Sequence, residues 1–153
     1  MSPLPESAAT GPSAPLAVSL GDPAGVGPEV IAKAWAVRSA HRLVPFFAIG
    51  DRRSLEAVWD GPIIQISHPS DAFAEFERGL PLLQVDDPGE IEPGKPNLAG
   101  ARCALDSLEM AVGLARSGAA SGLVTGPVAK AQLYAIGFTH PGQTEFVAER
   151  CGV

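Results

Sequence analysis

Three stretches combine a Gly/Pro break, polar side chains and the onset of a helical pattern: GDPAGVGPE (21–29), TGPVAK (125–130) and HPGQTE (140–145). A helix N-terminus leaves backbone N–H groups free and carries partial positive charge, so such breaks suit anionic ligands. In open α/β sheets, ligands bind outside the carboxyl ends of the strands, where these breaks belong. Asp22 can contact a ligand as a carboxylate or cap its own turn. Thr125 and Thr144 can donate hydroxyls to an anion or cap helices. Lys130 can reach a phosphate across the first helical turn or stand solvated on the surface. Any one break alone reads as a tight turn with a helix cap. Two that follow apolar strands, together with a third polar loop, point to one shared site.

The familiar phosphate motifs do not fit. A P-loop requires GxxxxGK[ST], and no Lys-Ser or Lys-Thr follows these glycines. The dinucleotide fingerprint GxGxxG fails because Val30 stands where its third glycine belongs. What remains is geometric: a short apolar run, a glycine turn, Pro28 at a first helical position and Glu29 beside the positive helix end. His41 and His68 offer His140 no metal-type spacing, so His140 reads as a loop residue. Cys103 and Cys151 lack such spacing too and read as reduced thiols of a cytoplasmic protein. No Ser-His-Asp or Cys-His arrangement emerges from spacing.

Composition narrows the partners. A formal charge of −6 with no Lys/Arg cluster argues against nucleic acid and against an anionic membrane surface. With 46% hydrophobic and 18% charged residues, the chain is globular, about one domain in length. MSPLPESAATGPSAP has neither a basic n-region nor an apolar h-region, and no stretch approaches the ~20 apolar residues of a membrane span.

The elements that must position the breaks follow from periodicity. Residues 1–14, rich in Pro, Ser and Ala, are expected to form a flexible tail, and 15–153 an α/β portion. LAVSL (16–20) reads as a buried strand, followed by the glycine turn and a helix from Pro28 to about Ser39. LVPFFAIG (43–50) is a second strand, with Pro45 marking an edge or the strand's start. Asp51 is expected to cap a short helix, RRSLEAVW, and PIIQI (62–66) to form a third strand. Residues 68–96 read as irregular, with VDDPGEIEPGKP an evident loop. Asn97 is placed to cap a helix running to about Ser117. Leu98, Ala101, Leu105, Leu108, Val112 and Ala115 form one apolar stripe along it. SGLVTG (121–126) reads as a short buried strand, with a helix from about Val128. TEFVAERCGV continues as a helix with Gly152 at its C-cap. Strands alternating with helices indicate a largely parallel sheet. A further strand is expected where the chain stops, so it reads as a fragment.

GDPAGVGPEV, VTGPVAKAQLYAIGF and HPGQTEFVAERCG, in that order, resemble the N-terminal half of the 4-hydroxythreonine-4-phosphate dehydrogenase family of vitamin B6 (pyridoxal phosphate) synthesis. GKPNLAGARCALDSLEMAV is similar to that family's central helix region. The resemblance implies a three-layer fold like the isocitrate and isopropylmalate dehydrogenases, a homodimer, and about twice this length. It also implies oxidation of a small phosphorylated substrate's secondary alcohol by NAD or NADP, followed by decarboxylation to an amino-ketone phosphate. A divalent metal held by histidines would polarise the alcohol, with its ligands expected beyond residue 153 and none within this chain. The family's substrate-binding Gly-His-Thr-Glu pair falls on Gln143 and Thr144. Glutamine stands where the family usually has histidine; its amide can donate and accept hydrogen bonds but cannot carry a proton. Two alternatives follow: a sister dehydrogenase for another phosphorylated hydroxy acid or a cyclic dihydrodiol acid, and a non-catalytic fragment or interaction module.

Overall fold

The computed structural model describes residues 13–153. Five strands form one sheet: β1 (Leu16–Ser19), β2 (Phe46–Gly50), β3 (Ile63–Gln65), β4 (Leu80–Gln84) and β5 (Gly122–Thr125), in the order β3-β4-β2-β1-β5. Every pairing is parallel, with Val18 opposite Ala48 on one side and Val124 on the other. The helices are α1 (Gly27–Ala36), α2 (Arg52–Glu56), α3 (Ala72–Glu75), α4 (Leu98–Ser117), α5 (Lys130–Ala135) and α6 (Gln143–Arg150). The expected α/β class with a parallel sheet is what forms.

Side-chain alternation divides the sheet between two helical layers. Val18, Phe46, Ala48 and Leu82 pack against Ile31, Ala32 and Trp35 of α1 and Leu55 of α2. Ala17, Phe47 and Ile49 point the other way, onto Cys103 and Ala111 of α4. β2, central and covered on both faces, is buried at every residue, as a doubly covered parallel strand should be. A third cluster lies on the far side of α4, where Ala101, Leu108 and Val112 meet Leu133, Phe138 and Phe146 from α5, α6 and their connection.

Several expectations are corrected. Residues 68–96 are not wholly irregular: LPLLQ forms β4, inserted between β3 and β2. Its Pro81 is tolerated because Leu80 and Leu82 make the bonds to β3, to Pro62 O and from the Ile66 amide, so the Pro81 nitrogen turns toward β2, whose pairing begins only at Leu82. Of the two readings of Pro45, the strand's start is the one that forms, before an interior strand, and its carbonyl accepts from the Leu16 amide at 3.1 Å. Asp51 occupies the N-cap position of α2 but makes no side-chain cap. Its Oδ1 accepts instead from Gln84 Nε2 at 2.8 Å. β5 is half exposed rather than buried, with Val124 48% exposed, because its outer edge has no neighbour among the described residues. α5 begins at Lys130, not near Val128. Of the expected tail, residues 1–12 lie outside the described residues, while Ala14 and Pro15 are already buried.

The Asn97 cap forms as expected, Oδ1 accepting from the Gly100 amide at 2.7 Å, and Gly118 closes α4 at a positive φ of 82°. The buried face of α4 is wider than the expected stripe. Leu98 is 43% exposed, whereas Cys103, Ala104, Ser107 and Ala111 are buried. These small residues let the helix lie close to the sheet. Ser107 can be buried because its hydroxyl donates to the Cys103 carbonyl at 2.8 Å.

Candidate active-site cleft

β1 and β5 are neighbours, so the two breaks that follow them leave the sheet side by side. The Gly126 amide donates to Ser19 O at 2.7 Å and the Asp22 amide to Pro127 O at 2.9 Å. Gly21 and Gly27 make this closeness possible. A Cβ at Gly21 would stand 2.1 Å from Pro127 O, and one at Gly27 would stand 2.0 Å from Leu20 O. Gly21 also has φ +75°, a conformation L residues rarely adopt. Gly25 has more room, its nearest neighbour being Asp22 O at 3.4 Å. The glycines therefore fit one turn against another.

The third break joins from α6. Gln143 Nε2 donates to Gly126 O at 3.1 Å. A carbonyl only accepts, so this contact fixes the amide's orientation: the NH2 faces Gly126 and Oε1 is left as a free acceptor. Oε1 is buried without a partner. Gln143 and Thr144 line a cavity of about 250 Å³ with Thr125, Leu123 and Val147. Asp22 lines a separate cavity of about 230 Å³ with Gly25, Val26, Pro127 and Val128. Lys130 lines neither cavity. It lies beside the start of α6, where a Cβ at Gly142 would stand 3.8 Å from its Nζ.

Asp22 is 2% exposed. Its Oδ1 accepts from the Ala24 amide at 2.8 Å, and Oδ2 is buried without a partner. Burial raises its carboxyl above the ordinary 3.8, the Ala24 hydrogen bond opposing. Cys103, behind it in α4, is pushed up to about 12 by burial and then by the carboxylates of Asp51, Asp106 and Asp22. That thiol is not a nucleophile.

Two further polar residues stand at strand ends: Asp51, read from the sequence only as a helix cap, and Gln84, which the sequence did not single out. Asp51, after β2, is 3% exposed, and Gln84 closes β4. Gln84 bridges them: its Nε2 donates to Asp51 and its Oε1 accepts from the Arg52 amide at 2.9 Å. Asp51 was discoverable as a carboxylate directly after an apolar strand; Gln84 was hidden with β4. A larger cavity, about 620 Å³, lies between Arg53 and the 89–97 loop. Its cations are already engaged, Arg53 with Asp87 and Lys95 with Glu92, so it offers a ligand little free charge.

His140 is a loop residue, as expected, paired with Glu149 and flanked by the Phe138 and Phe146 rings at 5.2 and 5.3 Å. Among the described residues no three His, Cys, Asp or Glu side chains gather to hold a metal. No helix is long and apolar enough to cross a membrane.

Residues 42–153 match the family described as "Pyridoxal phosphate biosynthetic protein PdxA". The chain belongs to the PdxA family. It is 52% identical over 139 residues to the 4-hydroxythreonine-4-phosphate dehydrogenase of Zymomonas mobilis, covering 91% of this chain and 42% of that protein. The Erythrobacter litoralis enzyme of the same name is 48% identical over 93% of this chain and 44% of its own length. The chain thus spans less than half the length of these relatives. A crystal structure of the Burkholderia phymatum 4-hydroxythreonine-4-phosphate dehydrogenase superposes with a TM-score of 0.79 at 30% identity, covering 92% of this chain and 44% of that one. A terephthalate 1,2-cis-dihydrodiol dehydrogenase from Burkholderia xenovorans shares the fold at 22% identity and a TM-score of 0.68.

Proposed function

We propose that this chain forms the N-terminal part of a dehydrogenase that oxidises and decarboxylates 4-hydroxythreonine 4-phosphate in pyridoxal phosphate synthesis. The observation that carries the reading is the meeting of the three breaks, with Thr125, Gln143 and Thr144 around one cavity. The names of the PdxA relatives support the substrate. In this reaction the C3 alcohol loses a hydride to NAD or NADP and a proton to solvent. The resulting β-keto acid releases carbon dioxide, leaving an amino-ketone phosphate.

This chain's part is binding and orientation. Thr144 supplies a hydroxyl, and Gln143 offers Oε1 as an acceptor for a substrate hydroxyl. Because the Gln143 amide cannot titrate, it holds the substrate without moving a proton. By the family resemblance, we assign the divalent metal and most nicotinamide contacts to the remainder of the full-length protein. A homodimer and a cytoplasmic location are part of the same proposal.

The test is an assay of the full-length protein with 4-hydroxythreonine 4-phosphate, a divalent metal and each nicotinamide in turn. No turnover there, alongside oxidation of a phosphorylated sugar acid, would establish the second reading, a sister dehydrogenase. Gln143 favours that second reading, since it places a neutral amide where the family's motif usually carries histidine.

A further inference from the structure

Helix α6 carries Gln143 and Thr144 at its start and Arg150 at its end, about two turns away. Its start has no side-chain cap, because the N-cap residue is Gly142. Its end is tied more firmly. Arg150 makes a bidentate pair with Glu109 of α4, Nε donating to Oε2 at 3.1 Å and Nη2 to Oε1 at 2.6 Å. The same guanidinium lies over the Phe146 ring, 4.5 Å from its centroid. Glu149, 3.7 Å from Nη1, is paired with His140 and gives no competing fork.

Two stripes run along α6. Gln143, Phe146 and Arg150 recur at helical spacing and hold the helix to the rest of the protein: Gln143 to the Gly126 carbonyl, Phe146 in the apolar cluster against α4, Arg150 to Glu109. Thr144, Val147 and Cys151, one step round, line the cavities beside β5. The direction of the Thr144 hydroxyl therefore depends on how α6 is rotated about its axis. Phe146 does not settle that rotation, since apolar burial is non-directional. Gln143 fixes one point of the anchoring stripe. The guanidinium–carboxylate fork, seven residues along, fixes a second, and its two parallel hydrogen bonds set an orientation as well as a distance. Its footing is firm, because α4 is capped at both ends and packs on the sheet through Cys103 and Ala111.

The pair is placed for orientation more than for stability. The Arg150 and Glu109 side chains are 37% and 41% exposed, and an ion pair so open to solvent stabilises a fold little. We propose that Arg150 and Glu109 are positioning residues: their fork sets the rotation of α6 and so aims the Thr144 hydroxyl into the substrate cavity. The inference rests on the dehydrogenase reading above, in which Thr144 contacts the substrate, and adds to it the pair that acts through Thr144.

The experiment is a double-mutant cycle on the full-length protein, with KM and kcat measured on 4-hydroxythreonine 4-phosphate. Arg150→Met, which keeps an unbranched chain on Phe146, should raise KM about five- to tenfold, part of what losing the Thr144 bond costs. The kcat should stay within about twofold, as for a contact made equally in ground and transition states. In a Thr144→Ala background the same substitution should leave KM unchanged, because the group it aims is already absent. Arg150→Lys, which keeps the charge but not the fork, serves as a second variant if the methionine form does not fold, and should raise KM only when Thr144 is present. A rise by the same factor with and without the Thr144 hydroxyl is the mark of a merely structural role and overturns the assignment. So does a KM unchanged in both variants, and the dehydrogenase reading survives either result. A wild type without turnover overturns that reading and this inference together.

Discussion

The glycine turn offers a sharp test, because packing and phosphate binding rank its three glycines differently. Alanine at Gly21 must adopt φ +75° and also place its Cβ 2.1 Å from Pro127 O, with Gly126 C and O at 2.7 and 2.9 Å. The left-handed conformation alone costs roughly 1–2 kcal/mol. Overpacking against backbone adds about 1–3 kcal/mol. Alanine at Gly27 has no such φ penalty, but its Cβ would meet Leu20 O at 2.0 Å. Neither atom is the end of a flexible side chain, so relief requires moving β1 or α1. A gain of about 0.5–1 kcal/mol from replacing glycine in a helix offsets part of that loss.

Gly25→Ala meets Asp22 O at 3.4 Å and no strained φ, so it should lie within about 0.5 kcal/mol of wild type. The expected order of destabilisation is therefore Gly21→Ala, at about 3 kcal/mol or more, then Gly27→Ala at about 1–2 kcal/mol, then Gly25→Ala near zero. Urea denaturation midpoints of the full-length protein measure all three. Two results would refute the reasoning: Gly25→Ala as damaging as Gly27→Ala, or Gly25→Ala stable but deficient in nucleotide binding. The second would show that the glycine turn binds phosphate.

Four further outcomes are expected. Thr144→Ala in the full-length protein should weaken substrate binding by roughly five- to a hundredfold, the loss of one hydroxyl hydrogen bond to a charged partner; Gln143→His should be tolerated and should add a pH dependence near neutrality, and unaltered affinity in Thr144→Ala refutes the assignment of this pair to substrate binding. Burial raises the folded-state Asp22 carboxyl above 3.8, so its protonation contributes stability that is full below 3.8 and lost as pH rises through its own higher value; Asp22→Asn should gain on wild type across that window, and parallel stability curves would sink this. Cys151, which is exposed, should be alkylated at pH 8 while Cys103, with its thiol at about 12, stays unlabelled in the folded protein; intact-mass measurement of two rapid labels would contradict it. The 153-residue chain expressed alone should be poorly soluble because β5 offers an open strand edge with Val124 exposed, and Val124→Lys should raise its soluble yield; a soluble monomer with a sharp cooperative transition would count against that.

What could be read ahead of the structure depended on whether the cause was local. The Asn97 cap lies three residues from the amide it serves, and its side chain and the following apolar residues are enough to place it. β4 was missed because Pro81 normally argues against an interior strand; only the register, in which β2 joins one residue later, removes the objection. The sheet-facing strip of α4 was missed because alanine, cysteine and serine carry little hydrophobic signal, although they are what allows close approach to the sheet. Asp51 looked like a helix cap because its local sequence permits one; Gln84, distant in sequence, claims its side chain instead.

The three breaks show both sides of this limit. Each is visible alone as a strand, a Gly/Pro turn and a helix start, and the rule for parallel sheets places turns that follow strands at one end of the sheet. That rule does not make them neighbours. The pairing of β1 with β5 does so, with the Gly21 and Gly27 positions kept free of Cβ atoms, and neither the pairing nor the contact from Gln143 to Gly126 can be read from spacing. The same junction leaves Asp22 Oδ2 and Gln143 Oε1 as buried acceptors without donors. A buried acceptor left unsatisfied costs stability, and Ser19, Arg38, Asp51 and His140 carry buried unpartnered polar atoms as well, so this cost is spread over the fold and is not confined to the junction.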